Sequence, residues 1–411
     1  MTEYFDELET RDPEAREQAL FENFPAFVSD VQSRIPSWKS RLENIDVGTL
    51  TNRQALSTIP VLRKPELMDA QSQEPPFGGF VDLNLLNGNR IFMSPGPVWE
   101  PQAPGIDPWL AARSLYAAGL RKGDIAHCSI GFTLTPGGAI LDEGIRALGA
   151  ITFPAGIGNT DTQVDAISTL KANAYVGTPD YLATLLDRAK ELNKDVSSLT
   201  KAFVSGGALF PSMREAYAQQ GVQVLQGYAT ADIGAIAHET ICDGEIVEGM
   251  ILNENLILEI VRPGTDDPVE NGEVGEIVIT CFNKAYPLIR FGTGDLSAII
   301  EETSPCGRTN TRIKGWMGRA DQRTKIKGMF VDPKQVDQVI KQSEGVTKAK
   351  LLVTRVDNAD VMTLQVSGTN INQAEVNSKL NEITKLKGTV EIVDAIPNDG
   401  IVIDDKRDYD A

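Results

Sequence analysis

Residues 125–154 read IAHCSIGFTLTPGGAILDEGIRALGAITFP, and their pattern gives the clearest indication of the fold class. The apolar run at 125–130 predicts a strand, and apolar residues at helical spacing predict a helix over 138–148. A second apolar strand is predicted at 151–154, directly after that helix. Parallel neighbours need a long crossover connection, usually a helix, whereas a tight hairpin joins antiparallel strands. Two strands joined by a helix therefore favour parallel pairing. The stretch therefore predicts an α/β fold.

The same alternation continues towards the C-terminus. Helices are predicted over 160–170 and 181–192, and strands are predicted at 174–176 and 201–205. Crossover connections of this kind place successive strands side by side in one sheet. We therefore predict a large N-terminal domain built on a wound, mostly parallel sheet.

Other regions differ from this alternation. Residues 14–42 carry apolar residues at helical spacing, which predicts a helical lead-in. Residues 60–101 are rich in Pro, Gly and Asn, and we predict no helix there. After Tyr228, strands at 256–261 and 276–280 around a turn-forming segment predict a β-rich, partly antiparallel subdomain.

The chain beyond Gly318 has the pattern of a separate small unit. The predicted order is helix, two strands, helix and strand, at 333–343, 350–355, 362–366, 373–386 and 389–393. This αββαβ order is typical of a small α+β domain.

Composition limits the classes of partner. The chain has 411 residues, 41% of them hydrophobic, and a formal net charge of -18, which indicates a globular protein of two or three domains. The negative charge argues against general binding to nucleic acid or anionic lipid, since both need clustered Lys and Arg. The acidic N-terminus does not resemble a signal peptide, and no apolar stretch approaches a membrane span. We therefore predict a cytoplasmic protein with small-molecule partners and no membrane contact.

The four cysteines are widely spaced and form no CxxC pair, so reduced thiols are predicted rather than a disulfide scaffold. A scattered zinc site built from His238, Cys242, Cys281 and Cys306 stays open as an alternative. Ordinary buried thiols are favoured, because closed zinc sites usually show close-spaced ligand pairs.

Two glycine-bearing segments suggest a ligand site. SGGA at 205–208 follows a predicted strand, and open α/β sheets bind ligands just past the carboxyl ends of their strands. GYATAD at 227–232 offers the Tyr228 ring for stacking on a flat base and the Asp232 carboxylate for a hydrated Mg²⁺. A tight turn and a core tyrosine are the alternative explanations.

The most specific segment is PLIRFGTGD at 287–295, which GRAD at 318–321 follows. Asp295 ends a glycine-rich turn, where its carboxylate can accept hydrogen bonds from both ribose hydroxyls. Arg319 can face a phosphate with its fork of donors. Together the two residues predict a nucleotide site.

Several segments in order resemble the phenylacetate–coenzyme A ligase branch of the acyl-adenylate-forming superfamily. They are AARSLYAAGLRKGD at 111–124, PAGIGNTDTQ at 154–163, GTP at 177–179, GYATAD at 227–232, EVGE at 273–276, PLIRFGTGDL at 287–296 and CGRTNTRIKGWMGRAD at 306–321. The resemblance covers nearly the whole chain from about Trp109. It implies a large N-terminal domain, residues 1–320, and a small mobile C-terminal α+β domain, residues 321–411, with the hinge at Asp321 and Gln322.

The resemblance also implies an ATP-dependent ligase that activates a carboxylic acid as an acyl-adenylate and transfers it to coenzyme A. ATP or AMP, Mg²⁺ and coenzyme A are the implied cofactors, Asp232 takes the magnesium-binding position, and Arg319 contacts the ribose or α-phosphate. The residues implied to bind nucleotide are Gly207, Ala208, Tyr228, Ala229, Thr230, Asp295 and Arg319. An apolar acyl pocket is implied for Phe132, Pro136, Gly137, Ala155 and Gly156, and a coenzyme A loop for Lys327 and Gly328. The pocket favours an aromatic acid, although core packing explains its residues equally well, and a homodimer is left open.

Two positions depart from the family pattern. The phosphate loop, normally rich in Ser, Thr and Gly with a Lys, is replaced by FMSPGPVWE at 92–100, where two prolines remove backbone donors and Glu100 adds negative charge. Ile401 stands where the family's terminal motif carries a lysine, and Lys406 would need a shifted loop to replace it. Losing this charge near the attacking carboxylate predicts adenylation slower by roughly 10²-fold or more. The alternative function is a degenerate member that binds nucleotide or acyl-adenylate as a sensor, partner subunit or engineered variant.

Overall fold

The computed structural model describes residues 3–95, 97–207, 209–320, 322, 324–326, 329–356 and 359–407. Among these residues, no helix is long and apolar enough to cross a membrane. Contacts group the chain into unit 1, which is Met1–Leu258, Ile279–Phe291 and Ile300–Gly315, and unit 2, which is Glu259–Val278, Gly292–Ile299 and Trp316–Ala411. The division into two domains between residues 320 and 321 stays a prediction.

The helices are short, and many begin with a proline, whose missing N–H costs nothing in a first helical turn. They are α1 (Pro13–Glu22), α2 (Phe24–Arg34), α3 (Pro36–Arg41), α4 (Arg53–Leu56), α5 (Lys64–Gln73), α6 (Ala111–Ala117), α7 (Gly137–Ala147), α8 (Thr160–Leu170), α9 (Pro179–Glu191), α10 (Pro211–Gln219), α11 (Pro333–Gln342) and α12 (Gln373–Thr384). Short 3₁₀ turns cover Glu7–Thr10, Val47–Thr49 and Leu83–Leu85. The Asp332 side chain caps α11 in a capping box with Gln335.

The strands of the N-terminal half are β1 (Leu62–Arg63), β2 (Ile91–Ser94), β3 (Val98–Pro101), β4 (Ile125–Ser129), β5 (Ile151–Pro154), β6 (Ala174–Gly177), β7 (Lys201–Val204), β8 (Gln223–Thr230), β9 (Gly234–His238), β10 (Ile241–Cys242) and β11 (Glu245–Ile246). Those that follow are β12 (Met250–Leu252), β13 (Leu256–Val261), β14 (Gly275–Cys281), β15 (Leu288–Ser297), β16 (Ile299–Ile300), β17 (Arg312–Ile313), β18 (Thr324–Ile326), β19 (Met329–Val331), β20 (Val346–Val356), β21 (Ala359–Gly368), β22 (Thr389–Ile392) and β23 (Ile403–Asp405).

A nine-stranded sheet organises unit 1, in the order β16-β17-β12-β9-β8-β7-β6-β4-β5. The strands from β5 to β8 pair in parallel. Alternate side chains enter different cores: Val176 packs with residues of α6 and α7, and its neighbour Tyr175 packs with residues of α8, α9 and α10. Helices therefore cover both faces, and the predicted wound α/β fold is confirmed.

Strand β8 changes its pairing half-way along. Residues 223–226 pair in parallel with β7, whereas residues 227–230 pair antiparallel with β9, and the register shifts between Tyr228 and Ala229. The parallel part of the sheet therefore ends at the segment predicted to hold a nucleotide.

Smaller sheets complete the fold. β1, β15, β14 and β13 form a four-stranded sheet in that order, and β2–β3, β10–β11 and β18–β19 form two-stranded pairs. In unit 2, a sheet in the order β22-β21-β20-β23 shares one apolar core with α11 and α12, to which Val336, Leu351, Leu364 and Leu380 contribute. The predicted αββαβ order is present, with β23 added at one edge.

One prediction of local structure is wrong, one is refined, and one helix was missed. The prediction of no helix in residues 60–101 is wrong, because α5 spans Lys64–Gln73 with its proline in the first turn. The helical lead-in at 14–42 consists of three helices, separated at Asn23 and Ile35. Helix α10 was not predicted.

Candidate active site

The loops that follow the parallel strands lie at one edge of the sheet, because β8, β7, β6, β4 and β5 are neighbours in this order. Phe132, Pro136 and Gly137 follow β4, Ala155 and Gly156 follow β5, and Gly207 follows β7. The Gln226 side chain donates from Nε2 to the Gly207 carbonyl at 3.2 Å, which fastens this turn to β8. Ala208, predicted to bind nucleotide, lies outside the described residues.

Tyr228 lies in β8 and only 7% of the residue is exposed. The preceding Gly227 has no room for a side chain, because a Cβ there would overlap the Phe203 ring. Ala229 and Thr230 are half-buried, and Thr230 Oγ1 accepts a hydrogen bond from the Ile233 N–H at 3.3 Å. Stacking of Tyr228 on adenine stays a prediction.

Asp295 lies within strand β15, directly after Gly294, so the glycine-rich turn predicted to end at Asp295 is part of a continuous strand. Its Oδ1 atom accepts hydrogen bonds from Arg319 Nη1 at 2.9 Å and from Trp316 Nε1 at 3.0 Å. The two backbones also pair, since Asp295 forms a bridge with Arg319 and the Leu296 N–H donates to the Gly318 carbonyl at 2.9 Å. The structure therefore brings together Asp295 and Arg319, which the sequence places in separate motifs.

Gly294 permits this close approach. Its φ is +74°, and a Cβ there would lie 2.5 Å from Arg319 Nη2. Thr293 supports this part of β15, because its Oγ1 accepts a hydrogen bond from the Asp295 N–H at 3.2 Å and donates to the Ile277 carbonyl at 3.0 Å. The Asp295 side chain is 13% exposed and that of Arg319 is 52% exposed. A fixed carboxylate thus lies beside a guanidinium that reaches into solvent.

Asp232 follows β8 and is the carboxylate predicted to bind Mg²⁺. Its Oδ2 atom accepts a hydrogen bond from Lys64 Nζ at 3.0 Å, and its side chain is 2% exposed. Lys64 begins α5, the helix that the sequence did not predict, and its side chain is 30% exposed. An ammonium group thus lies directly against the predicted metal ligand.

Glu100 lies beside Asp232 and only 2% of the residue is exposed. Ser94 Oγ donates to Glu100 Oε1 at 2.7 Å across the β2–β3 hairpin. Burial, followed by the nearby Asp232 charge, raises the pKa of Glu100 to about 8. Glu100 Oε2 and Asp232 Oδ1 meet no N–H or O–H donor among the described residues.

A polar network lies beneath the predicted acyl pocket. His127 is fully buried, stacks on Phe153 and lies with Nε2 2.9 Å from Gln163 Oε1. Gln163 Nε2 donates to the Gly158 carbonyl at 2.7 Å and to the Gly156 carbonyl at 3.3 Å. Burial lowers the His127 pKa, which keeps the imidazole neutral. Gln163 therefore holds the loop that carries Ala155 and Gly156, while Phe132 and Pro136 lie at the end of the neighbouring strand.

Ile401 is 40% exposed and lies on a loop that precedes β23. Its N–H donates to Asp399 Oδ1 at 3.0 Å, and its side chain lines a cavity of about 410 Å³ in unit 2. Lys406 lies on the far side of β23, where its N–H donates to the Val353 carbonyl at 2.9 Å. The Lys406 side chain approaches Asp404 at 3.5 Å, so this lysine is anchored away from position 401.

The predicted hinge residue Gln322 holds the same terminal segment. Its Oε1 accepts hydrogen bonds from the N–H groups of Val402 at 2.5 Å and Ile403 at 2.9 Å. Its Nε2 donates to the Gly400 carbonyl at 2.6 Å. The other hinge residue, Asp321, and the predicted coenzyme A residues Lys327 and Gly328 lie outside the described residues.

Comparison with known proteins identifies the family. Residues 144–281 match the family model of AMP-binding enzymes. The phenylacetate–coenzyme A ligase of Thermus thermophilus is 30% identical over 379 residues, which cover 88% of this chain and 84% of that enzyme. The chain belongs to the phenylacetate–coenzyme A ligase family. The corresponding ligase of Pseudomonas putida is 28% identical over 378 residues, with the same shares of both chains covered.

Solved structures support the fold of this family member. A 2-hydroxyisobutyryl-CoA ligase in its postadenylation state, bound to R3-HIB-AMP, has a TM-score of 0.71 and is 22% identical, covering 97% of this chain and 91% of its own. The same ligase in an open conformation with 2-HIB-AMP and CoA also has a TM-score of 0.71, with 22% identity and coverage of 95% and 90%. At 22% identity, these two matches show a shared fold only. The chain is thus an acid–thiol ligase by family, with the architecture of acyl-CoA ligases.

The acidic residues of this ligase do not fit the predicted Mg²⁺. Mg²⁺ requires near-octahedral oxygen ligands and usually keeps several waters. Here one oxygen of Asp232 is bonded to the Lys64 ammonium, and the other faces the Glu100 carboxyl group in a buried position. A divalent cation at Asp232 would have to displace the Lys64 ammonium.

The thiols show no shared metal cluster. Among the described residues, no group of three His, Cys, Asp or Glu side chains comes together. Cys306 instead lies 3.5 Å from Thr240 Oγ1 and 3.1 Å from Ser304 Oγ, and Cys242 Sγ donates to the Pro305 carbonyl at 3.3 Å. Cysteines 128, 242, 281 and 306 are free.

Sequence reasoning missed two features of the site. Nothing in the local pattern around Lys64 links it to Asp232, which lies 168 residues away. Arg290, inside the most specific motif, is fully buried and donates to the carbonyls of Ser57 at 2.9 Å and Ile59 at 2.5 Å. The arginine of this motif therefore stabilises the fold.

Proposed function

We propose that this chain is an acyl-CoA ligase that works through an acyl-adenylate, with the adenylation half of its reaction impaired. The observation that carries the proposal is the Asp295–Arg319 pair, which is built on a left-handed glycine inside the family's most specific motif. A buried carboxylate suits the two ribose hydroxyls, and an exposed guanidinium suits the α-phosphate.

The two half-reactions place different demands on the chain. In adenylation, a carboxylate oxygen attacks the α-phosphorus and the bond to pyrophosphate breaks. In thioester formation, the thiol sulfur attacks the acyl carbon, its proton passes to solvent, and the bond to AMP breaks. Ile401 offers no positive charge to the first step, so adenylation is slowed by roughly 10²-fold or more. The second step forms its bond at the acyl carbon and does not depend on that charge.

The acid is proposed to be aromatic or of similar size. Phe132, Pro136, Gly137, Ala155 and Gly156 present apolar groups at the carboxyl ends of two adjacent parallel strands. The Gln163 side chain donates hydrogen bonds to the loop that carries Ala155 and Gly156. The named relatives act on phenylacetate, which agrees with a pocket of this character.

Separate assays of the two half-reactions test the proposal. Pyrophosphate exchange across a panel of aromatic and aliphatic acids measures adenylation, and thioester formation from a supplied acyl-adenylate measures the second step. We expect weak exchange and clear thioester formation with aromatic acids. Absence of both activities for every acid would contradict the proposal.

A second candidate function is a degenerate family member that binds nucleotide or acyl-adenylate without turnover. The Ile401 position and the proline-bearing β2–β3 hairpin favour it. Nucleotide binding with neither half-reaction would select this candidate. Cytoplasmic location and a homodimer stay predictions.

A further inference from the structure

Lys64, Asp232, Glu100 and Ser94 form a buried polar cluster in unit 1, at the end of β8. The Lys64 ammonium lies 3.0 Å from Asp232 Oδ2, and Ser94 Oγ lies 2.7 Å from Glu100 Oε1. The side chain of Asp232 is 2% exposed, and Glu100 is 2% exposed as a residue. The Asp232 carboxylate is therefore already paired with an ammonium group of the protein.

The connection between β2 and β3, beside this cluster, offers few backbone donors to a polyphosphate. Ser94 pairs with Val98, so Pro95, Gly96 and Pro97 separate the two strands in sequence. Two of these three residues are prolines, which lack an N–H, so the loop contains at most one backbone donor. The Ser94 hydroxyl cannot serve instead, because it already donates to Glu100.

Charge at the cluster also opposes a triphosphate. The cluster contains one ammonium group, that of Lys64, and two carboxyl groups, those of Asp232 and Glu100. It therefore supplies no net positive charge to the β- and γ-phosphates. Triphosphate binding normally depends on backbone N–H groups, a free lysine and a divalent cation. None of the described groups at the hairpin or at Asp232 offers these.

We propose that this chain binds adenosine ligands carrying one phosphate, AMP or an acyl-adenylate, without a divalent cation, and that Lys64 takes the place that the family gives to Mg²⁺. The inference rests on the proposed function, because it assumes that the chain binds an adenosine ligand. It makes a preformed acyl-adenylate, rather than ATP with free acid, the preferred substrate.

Calorimetric titration of the full chain with AMP and with ATP, each in excess Mg²⁺ and in EDTA, tests the proposal. We expect AMP affinity to change by less than about twofold on removing Mg²⁺, and ATP to bind at least about tenfold more weakly than AMP, a factor that corresponds to about 1.4 kcal/mol. ATP binding that is tighter than AMP binding and needs Mg²⁺ would overturn it.

A lysine variant sharpens the test. Lys64→Met frees Asp232 and should make AMP binding sensitive to Mg²⁺. The matched control is Lys201→Met, which breaks another ion pair of unit 1, Lys201 with Asp124 at 2.7 Å, and should leave Mg²⁺ without effect. If Lys64→Met does not fold, Lys64→Arg keeps the positive charge and should retain Mg²⁺-independent binding. Equal Mg²⁺ sensitivity of the original chain and Lys64→Met would overturn the role of Lys64.

The two proposals fail in different ways. If neither AMP nor ATP binds under any condition, the proposed function fails, and this inference fails with it. If both bind and ATP with Mg²⁺ is preferred, the ligase function stands and only the single-phosphate inference is overturned.

Discussion

Ile401 stands at the position where the family resemblance predicts a lysine. Ile401 is 40% exposed on the wall of a cavity, so a longer side chain has room to extend. We expect Ile401→Lys to raise the rate of pyrophosphate exchange by roughly 10²-fold, because a preorganised charge acts on the attacking carboxylate and the α-phosphate. Nucleotide affinity should stay nearly constant, since the gain is made in the transition state.

The matched control for this variant is Ile401→Met, which lengthens the side chain without adding charge. It should leave exchange at the level of the original chain. If Ile401→Lys also has no effect with any acid, the short β2–β3 hairpin is the limiting defect and the binding-only function is favoured.

Asp295 is the residue proposed to bind the ribose hydroxyls. Asp295→Ala removes the acceptor proposed for two ribose hydroxyls and should weaken AMP binding by roughly 2–3 kcal/mol, as for hydrogen bonds to a charged group. Calorimetry measures this change. The control is Trp316→Phe, which removes only the indole donor to Asp295 Oδ1 and should affect affinity far less. Unchanged affinity in Asp295→Ala would place the nucleotide elsewhere.

Residue-level chemistry could be predicted only where motifs are local. Asp295 and Arg319 were predicted together, because each lies in a recognisable segment, and the structure joins them at 2.9 Å. Lys64 and Glu100 could not be linked to Asp232, because their approach depends on how α5 and the β2–β3 hairpin pack against the end of β8. Contacts between segments that are far apart in the chain produce no periodic pattern of residues in the sequence.

At the scale of elements, strongly periodic segments were predicted well. The strand at Ile151–Pro154 and the helix at Thr160–Leu170 have the predicted bounds, because apolar spacing alone determines them. Helix α5 was missed because its region is rich in Pro and Gly, although Pro65 lies in the first turn, where proline is tolerated. The high Pro and Gly content of the whole region, about forty residues, therefore led to the omission of a helix of 10 residues.

The terminal segment before β23 gives a prediction about an element. Gln322 makes three hydrogen bonds to the backbone of residues 400–403. We expect Gln322→Ala to speed amide hydrogen exchange at Val402 and Ile403 by about tenfold, because each lost bond contributes roughly 1 kcal/mol. Exchange followed by mass spectrometry on the peptide 395–407 measures this.

The control for this variant is Gln365→Ala, which removes an exposed hydrogen bond to Glu391 in the same sheet. It should leave exchange at residues 402 and 403 unchanged. Equal protection in Gln322→Ala and the original chain would mean that the Gln322 amide does not hold the terminal segment.

At the scale of the whole molecule, a buried ionic network ties the N-terminal turn to distant parts of unit 1. Arg308 pairs with Glu9 at 3.1 Å, and Arg16 pairs with Glu254 at 3.2 Å. Breaking one partner of such a pair leaves an uncompensated buried charge, which is strongly destabilising. The network also places positive charge near His238, whose charge state then matters for the stability of the fold.

His238 is fully buried, with Nδ1 3.1 Å from Ser114 Oγ and no partner for Nε2 among the described residues. Burial, and then the charges of Arg308 and Arg113, lower its pKa to about 3. Between that value and the ordinary pKa of about 6.5, the unfolded chain binds a proton that the folded chain refuses. The free energy of unfolding should therefore fall as pH falls below about 6.5, by roughly 1.4 kcal/mol per pH unit from this residue.

His238→Gln removes this titration while it keeps a polar side chain at the site. The variant is expected to be less stable than the original chain at neutral pH, yet its free energy of unfolding should fall less steeply between pH 6.5 and 5. Urea denaturation at several pH values measures both slopes. His127 also has a lowered pKa and is present in both proteins, so its contribution cancels in the comparison. Identical slopes would mean that His238 takes up its proton without unfolding, and that the nearby arginines do not exclude it.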